Sequence, residues 1–185
     1  MTDTTVNRRD IAAAFLVGSA GLALAARPAA AQGNETDLTS RIALLEDQAA
    51  LKRLVDTFSS LADTKDIDAQ VLLFTEDATV ESWSDGQKGS TFTSRAELAK
   101  AFGGFLAQFS TVYHINGQQV VTVDGDQATG TSYCLVVLIR EEDGKVIRRA
   151  SGVRYADSYI RQDGQWLIAG RTSHFEWTDT TVTPA

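Results

Sequence analysis

The chain contains two histidines, His114 and His174, and one cysteine, Cys134. That inventory limits the chemistry before any fold is considered. An intrachain disulfide and a cysteine-cluster metal site are excluded. A histidine-rich metal centre has too few ligands. His114 is followed at two residues by Asn116, within Tyr113-His114-Ile115-Asn116-Gly117. On a strand, positions i and i+2 share a face, so this imidazole and this carboxamide would look the same way. A histidine side chain ordinarily titrates near 6.5. It can take a proton from carbon beside a carbonyl, or deliver one to a leaving hydroxyl, with a neighbouring amide positioning an oxygen. A histidine satisfied by hydrogen bonds in a core or at the surface is the alternative.

Other side chains could assist. Arg154 is a candidate to hold an anionic or enolate oxygen. Tyr133 shares a strand face with Thr131 and Leu135, and Tyr155 shares one with Asp157 and Tyr159. Arg154 and Tyr155 are adjacent, so only one of them can face a given pocket. Arg171 is expected to be structural and Cys134 buried and inert. His174 and Glu176 share a face near the end of the last strand. There is no glycine-rich phosphate loop, nucleophile elbow or basic stripe. No metal and no cofactor is expected.

The elements that must carry these residues are legible in the periodicity. Leu38, Ile42, Leu45, Ala49, Leu51, Leu54, Phe58 and Leu61 recur at helical intervals. They predict a long amphipathic helix ending near Asp63. Residues 66–74 read as a short second helix. Residues 77–83 alternate as a strand, and 84–90 read as a polar loop. Ser94 and Glu97 form a capping box that opens a third helix with Leu98, Phe102 and either Phe105 or Leu106 inward. Asp-Gly pairs then occur at Asp124-Gly125, Asp143-Gly144 and Asp163-Gly164. Asp-Gly between β-rich runs marks a type I′ hairpin, so long strands are expected over 111–123, 126–141, 145–161 and 165–177. Strands of that length must twist and curl. Three helices packed in a curled antiparallel sheet make an α+β cone, with a small-molecule pocket at its open end.

The first 31 residues read as an address rather than as fold. Asn7-Arg8-Arg9-Asp10 precedes an Ala-, Leu- and Gly-rich run over 11–26, then Arg27-Pro28 and Ala29-Ala30-Ala31. The paired arginines make this resemble a twin-arginine export signal, although Asn7 and Ala12 depart from the usual pattern, and a plain Sec signal is the alternative. A run of about 16 residues is short of the roughly 20 that span a bilayer. The expectation is a signal peptide over 1–31, a domain over 32–177 and a disordered tail over 178–185, in a periplasmic or secreted protein with no membrane contact after cleavage. The whole chain has 185 residues and a net charge of −7. That acidity argues against nucleic acid as a partner.

The element order, with Leu72-Leu73-Phe74-Thr75-Glu76-Asp77-Ala78, Tyr113-His114-Ile115-Asn116-Gly117 and Tyr155-Ala156-Asp157-Ser158-Tyr159-Ile160-Arg161, resembles the SnoaL-like family of the nuclear transport factor 2-like fold. The resemblance covers nearly all of residues 42–177. That family includes polyketide cyclases, scytalone and bile-acid dehydratases, steroid isomerases, dioxygenase β-subunits and pocket proteins without known chemistry. Its dehydratases use an aspartate–histidine pair, and the matching positions are Asp63 and His114. Asp63 lies well off the apolar stripe, so a solvated carboxylate at a helix end is the alternative, with Asp66 as fallback partner. Phe58 stands where bile-acid dehydratase-like members carry a tyrosine, so a phenol is lost that Tyr133 or Tyr155 would have to replace. The resemblance implies a small hydrophobic, polyketide- or steroid-like ligand, a cofactor-independent lyase or isomerase, and a homodimer. A non-catalytic ligand-binding or assembly module is the competing class. Neither fold nor resemblance chooses between them.

Overall fold

The computed structural model describes residues 29–185. The export segment read over 1–31 lies outside these residues apart from its last three. Two compact units divide the chain, Met1–Asp37 and Leu38–Ala185. In the first, the described backbone is the start of helix α1, Ala29–Thr64. The helix therefore begins before Leu38, the first residue of the apolar stripe. An alanine-rich segment has high helix propensity, which favours that extension.

The second unit holds the remaining elements: α2 (Ile67–Val71), β1 (Phe74–Ser84), β2 (Gln87–Phe92), α3 (Arg95–Leu106), β3 (Thr111–Asp124), β4 (Gln127–Glu142), β5 (Lys145–Gln162) and β6 (Gln165–Pro184). It is α+β, with two helices first, α3 inserted after β1 and β2, and a curled six-stranded sheet. The strand order is β2-β1-β6-β5-β4-β3. The meander is antiparallel, but β1 pairs parallel with β6, so the sheet is mixed rather than wholly antiparallel.

Turn chemistry sets the register. Asp85-Gly86, Asp143-Gly144 and Asp163-Gly164 all have positive φ at both residues, as a type I′ turn requires. Asp85-Gly86 turns the expected polar loop into the β1–β2 hairpin, with Ser84 paired to Gln87. At the remaining expected pair, Asp124-Gly125, the turn sits one residue later. Asp124 pairs with Gln127, and only Gly125 of the two central residues has positive φ, the sign pattern of a type II′ turn.

Two corrections concern the ends. The segment 178–185 is not a disordered tail, because β6 continues to Pro184 and Thr178 to Pro184 pair with Ser151 back to Lys145. A threonine-rich run with Val182 suits a pleated edge. At the other end, Leu38, Ile42 and Leu45 are exposed although they continue the apolar stripe. The buried face of α1 starts at Leu51 and continues through Leu54, Val55, Phe58 and Ala62. These pack against Phe74, Leu98, Ala128, Tyr159, Trp166 and Ile168 in one cluster, and against Val112, Cys134, Val136, Leu138, Val153 and Tyr155 in a second. Among the described residues no helix is long and apolar enough to cross a membrane.

Candidate active site

One residue further round α1, a polar stripe runs beside the apolar one: Lys52, Asp56, Ser59 and Asp63, at intervals of four, three and four. It faces β3. Gln119 Nε2 donates to the Leu51 carbonyl at 3.4 Å, and Asn116 Nδ2 donates to Asp56 Oδ1 at 3.0 Å and to the Val55 carbonyl at 3.3 Å. Ser59 Oγ donates to Asn116 Oδ1 at 3.0 Å. His114 Nδ1 lies 2.6 Å from Asp63 Oδ1, and the His114 backbone N–H donates to Asp63 Oδ2 at 3.3 Å. The seam works because rises match. Twelve residues of helix advance about 18 Å, and five of strand about 17 Å.

Local sequence explains why Asp63 can reach. The helix ends immediately after it. Lys65 takes a positive φ, its N–H donates to the Ala62 carbonyl, and the Asp66 N–H donates to the Leu61 carbonyl. That is a Schellman termination. Asp66 is committed elsewhere, since its side chain caps α2 by accepting from the Ala69 N–H at 3.2 Å. It is not the partner of His114.

The His114 side chain is only 7% exposed, and Asp63 is 27% exposed. His114 lines a cavity of about 730 Å³. Apolar side chains, among them Phe58, Ala62, Val80, Phe102, Leu106, Val136, Leu138 and Phe175, line it together with Gln70, Arg149, Ser151, Tyr155, Arg171 and Ser173, and the β1–β2 hairpin adds polar residues such as Glu81, Asp85 and Lys88. That volume is in the range of small-molecule sites. Because Nδ1 faces the carboxylate, Nδ1 is assigned the proton and Nε2 is left as the free ring nitrogen.

Phe58 lines the cavity. It stacks edge-on against Phe74, Phe102 and Tyr155 at centroid distances of 5.9, 6.0 and 6.3 Å. Three expectations are corrected. Asn116 is on the strand face expected, but both ends of its carboxamide are spent on α1, so it positions the helix and is not a cavity-lining group. Tyr133 is half exposed and pairs across strands with Arg154, which pairs with His174. Directly paired residues share a face, and this row lies on the outer face, opposite the cavity-lining Val136, Ser151 and Tyr155. Arg154 Nε donates there to Glu176 Oε1 at 2.8 Å, and the His174 ring lies 6.3 Å from that of Trp83. Tyr155 is the phenol on the cavity side, and burial pushes its pKa upward so that it keeps its proton.

Arg171 was expected to be structural, and it is buried, yet it also lines the cavity. Its Nε and Nη2 each donate to Asp157 at 2.8 Å, and Tyr159 OH donates to the same carboxylate at 2.7 Å. The guanidinium carbon lies 4.4 Å from the Phe58 ring centroid and 4.2 Å from that of Tyr155. Burial works against its charge, but the Asp157 carboxylate outweighs that and raises its pKa. Arg171 Nη1 and Gln70 Oε1 are buried without partners. Asp157 and Arg171 are directly paired across β5 and β6; counting back from the Asp163-Gly164 turn would put Gly170 opposite Asp157, and the register shift between Ser158 and Tyr159 brings Arg171 there instead.

Comparison with known proteins agrees with this architecture. No curated protein matches the sequence significantly. Among solved structures, one similar chain is a protein assigned as a scytalone dehydratase from Novosphingobium aromaticivorans DSM 12444. It is 23% identical, with a TM-score of 0.63 over 76% of this chain and 91% of that one. A nuclear transport factor 2-like protein with a cystatin-like fold, from the same species, is 28% identical, with a TM-score of 0.58 over 76% and 88%. A type 2 hexachlorocyclohexane dehydrochlorinase is 17% identical, with a TM-score of 0.64 over 76% and 93%. At such identities the likeness is one of fold. The model of the SnoaL-like domain matches residues 43–172, and the chain belongs to that family.

Proposed function

We propose that the protein is an exported, cofactor-independent lyase or isomerase acting on a small hydrophobic molecule, with Asp63 and His114 handling the proton. The observation that carries this is the 2.6 Å contact between Asp63 Oδ1 and His114 Nδ1 at the wall of an open cavity. A non-catalytic module would be favoured by a histidine far from any carboxylate, or by a cavity filled with side chains. Neither condition holds.

In this reading His114 Nε2 takes a proton from carbon beside a carbonyl, and the electron pair of that C–H bond becomes the enolate. Asp63 holds the ring and stabilises the imidazolium. In an elimination, the enolate electrons expel a β-substituent and form the C=C bond, while the imidazolium protonates a departing hydroxyl to give water. In an isomerisation, the same proton returns to a different carbon. Arg171 contributes positive potential beside Phe58 and Tyr155, and the Tyr155 phenol can donate to a developing oxygen anion. Similarity of fold to a scytalone dehydratase and a dehydrochlorinase supports elimination chemistry.

The test is a panel of β-hydroxy, β-halo and cyclic ketones, followed by NMR for elimination and for α-proton exchange in deuterated buffer. His114→Ala and Asp63→Asn should each lose two to four orders of magnitude, the usual worth of general acid–base catalysis. Unchanged turnover in His114→Ala removes His114 from the mechanism. Export through the twin-arginine route is supported by Arg8-Arg9 and the alanine-rich run. Replacing both arginines with lysine should retain the protein in the cytoplasm. Tyr113, Ile115, Val120, Tyr133 and Trp177 are exposed and supply an apolar outer sheet face, which supports a homodimer built on it.

A further inference from the structure

Besides Arg171, two cationic side chains line the cavity that the Asp63–His114 chemistry does not use: Lys88, which is paired with Glu81, and Arg149. Arg149 lies on β5, two residues from Ser151 and on the same inner face, and it lines the cavity. Its direct cross-strand neighbours, Leu138 and Thr180, carry no charge. Among the described residues, every other arginine that is not exposed has a carboxylate. Arg171 has Asp157, Arg161 has Asp47 and Asp126, Arg154 has Glu176, Arg140 has Glu142, and Arg95 has Glu76. Arg149 has no such partner, and its Nε is buried with nothing to donate to. A buried donor with no acceptor is unfavourable, and a ligand oxygen would relieve it. The acidic residues that share the cavity, Glu81 and Asp85, come from the β1–β2 hairpin. Glu81 is already held by Lys88 Nζ at 2.6 Å and by Trp83 Nε1 at 3.3 Å.

We propose that Arg149 is an anion-recognition residue, and that the molecule taken up by the cavity is apolar over most of its length with an anionic oxygen group at one end. This rests on the reading of the cavity as a substrate site and specifies the substrate class. A guanidinium fork suits a carboxylate or a comparable oxyanion, accepting from two N–H groups at once. Geometry sets the length. Arg149 lies two strands and two residues along from His114, through Val136 and Leu138, so their Cα atoms are about 12 Å apart. A ligand that meets both must extend across the apolar wall between them, roughly the length of two or three fused rings. The anionic end then fixes which carbon faces His114 Nε2.

Binding of a matched probe pair to the full-length chain tests this. The probes are 8-anilinonaphthalene-1-sulfonate, which is anionic, and N-phenyl-1-naphthylamine, its neutral counterpart. The wild type should bind the sulfonate more tightly, and the two probes should compete. Arg149→Met should weaken the sulfonate at least tenfold and the neutral probe less than twofold. Arg149→Lys should keep part of the preference. Arg149→Gln serves if the methionine variant does not fold, with circular dichroism and Tm checking each. Equal loss of both probes, an unchanged preference, no preference in the wild type, or no competition each overturns the proposal. The readout is binding alone, so it stands or falls separately from turnover by His114.

Discussion

Asparagine at position 157 is the substitution on which the packing argument can be tried most severely. Asp157 and Arg171 have side-chain exposures of 0% and 1% and share two 2.8 Å hydrogen bonds. Asp157→Asn keeps the shape but leaves a guanidinium buried without its counter-charge. An arginine cannot shed its proton to relieve that. Removing one partner of a buried pair typically costs about 3–5 kcal/mol. In a domain of this size each kcal/mol is worth about 2–4 °C, so Tm should fall by about 6–20 °C. The reverse change behaves differently. In Arg171→Met the remaining carboxyl can take up a proton, so its deficit should shrink as the solution is acidified, while that of Asp157→Asn should not. Removing both charges, as Asp157→Leu with Arg171→Met, should recover most of the loss. It will forfeit the guanidinium's contacts with Phe58 and Tyr155, about 0.5–2 kcal/mol. Urea unfolding followed by tryptophan fluorescence, at pH 5 and pH 8, measures all three. A loss below about 1 kcal/mol in Asp157→Asn, or a double variant as unstable as the single, would refute the reasoning.

Asp47 on α1 accepts from Arg161 at 2.8 Å and from Trp166 Nε1 at 3.0 Å, and these contacts, Arg161 foremost, lower its pKa. A lowered carboxylate adds stability above the unfolded value near 3.9, and that stability is lost as pH falls through the folded value. Asp47→Asn should therefore be about 1–2 kcal/mol less stable at pH 7, with the gap closing below about pH 4 in acid-unfolding curves. Cys134 is buried, and desolvation pushes its thiol up to about 11. Iodoacetamide at pH 8 should leave it unmodified in the native protein and label it fully in urea, as read by mass spectrometry. A Cβ at Gly152 would overlap the Trp177 indole; Gly152→Ala should displace that ring, at a cost of about 1–3 kcal/mol and with a shift in tryptophan emission. If the outer sheet face joins two copies, Ile115→Glu should convert a dimer to a monomer in light scattering. A wild-type monomer would refute that arrangement.

Short-range information in the sequence determined most of the scaffold. The stripe through Leu51, Leu54 and Phe58, the Ser94 cap and the Asp-Gly turns are local devices, each stabilised by residues a few positions apart. The helices and hairpins could therefore be read directly from spacing. Asp85-Gly86 belonged to the same class and was legible, but its flanking residues are polar and lack the β-rich pattern that makes a turn conspicuous. What tertiary structure alone decided is which polar groups meet. Asn116 and His114 share a strand face, as alternation requires, yet one is consumed by Ser59 and Asp56 while the other reaches the cavity. That division depends on where α1 lies against β3. Arg154 and Arg171 look alike in sequence, and only the side of the sheet each occupies separates a surface ion pair from a buried one. The physical reason is that strand alternation gives relative facing but not which face is concave. Facing becomes absolute only when the helices pack, and the same packing leaves Asp63 beside His114 and Arg149 without a partner.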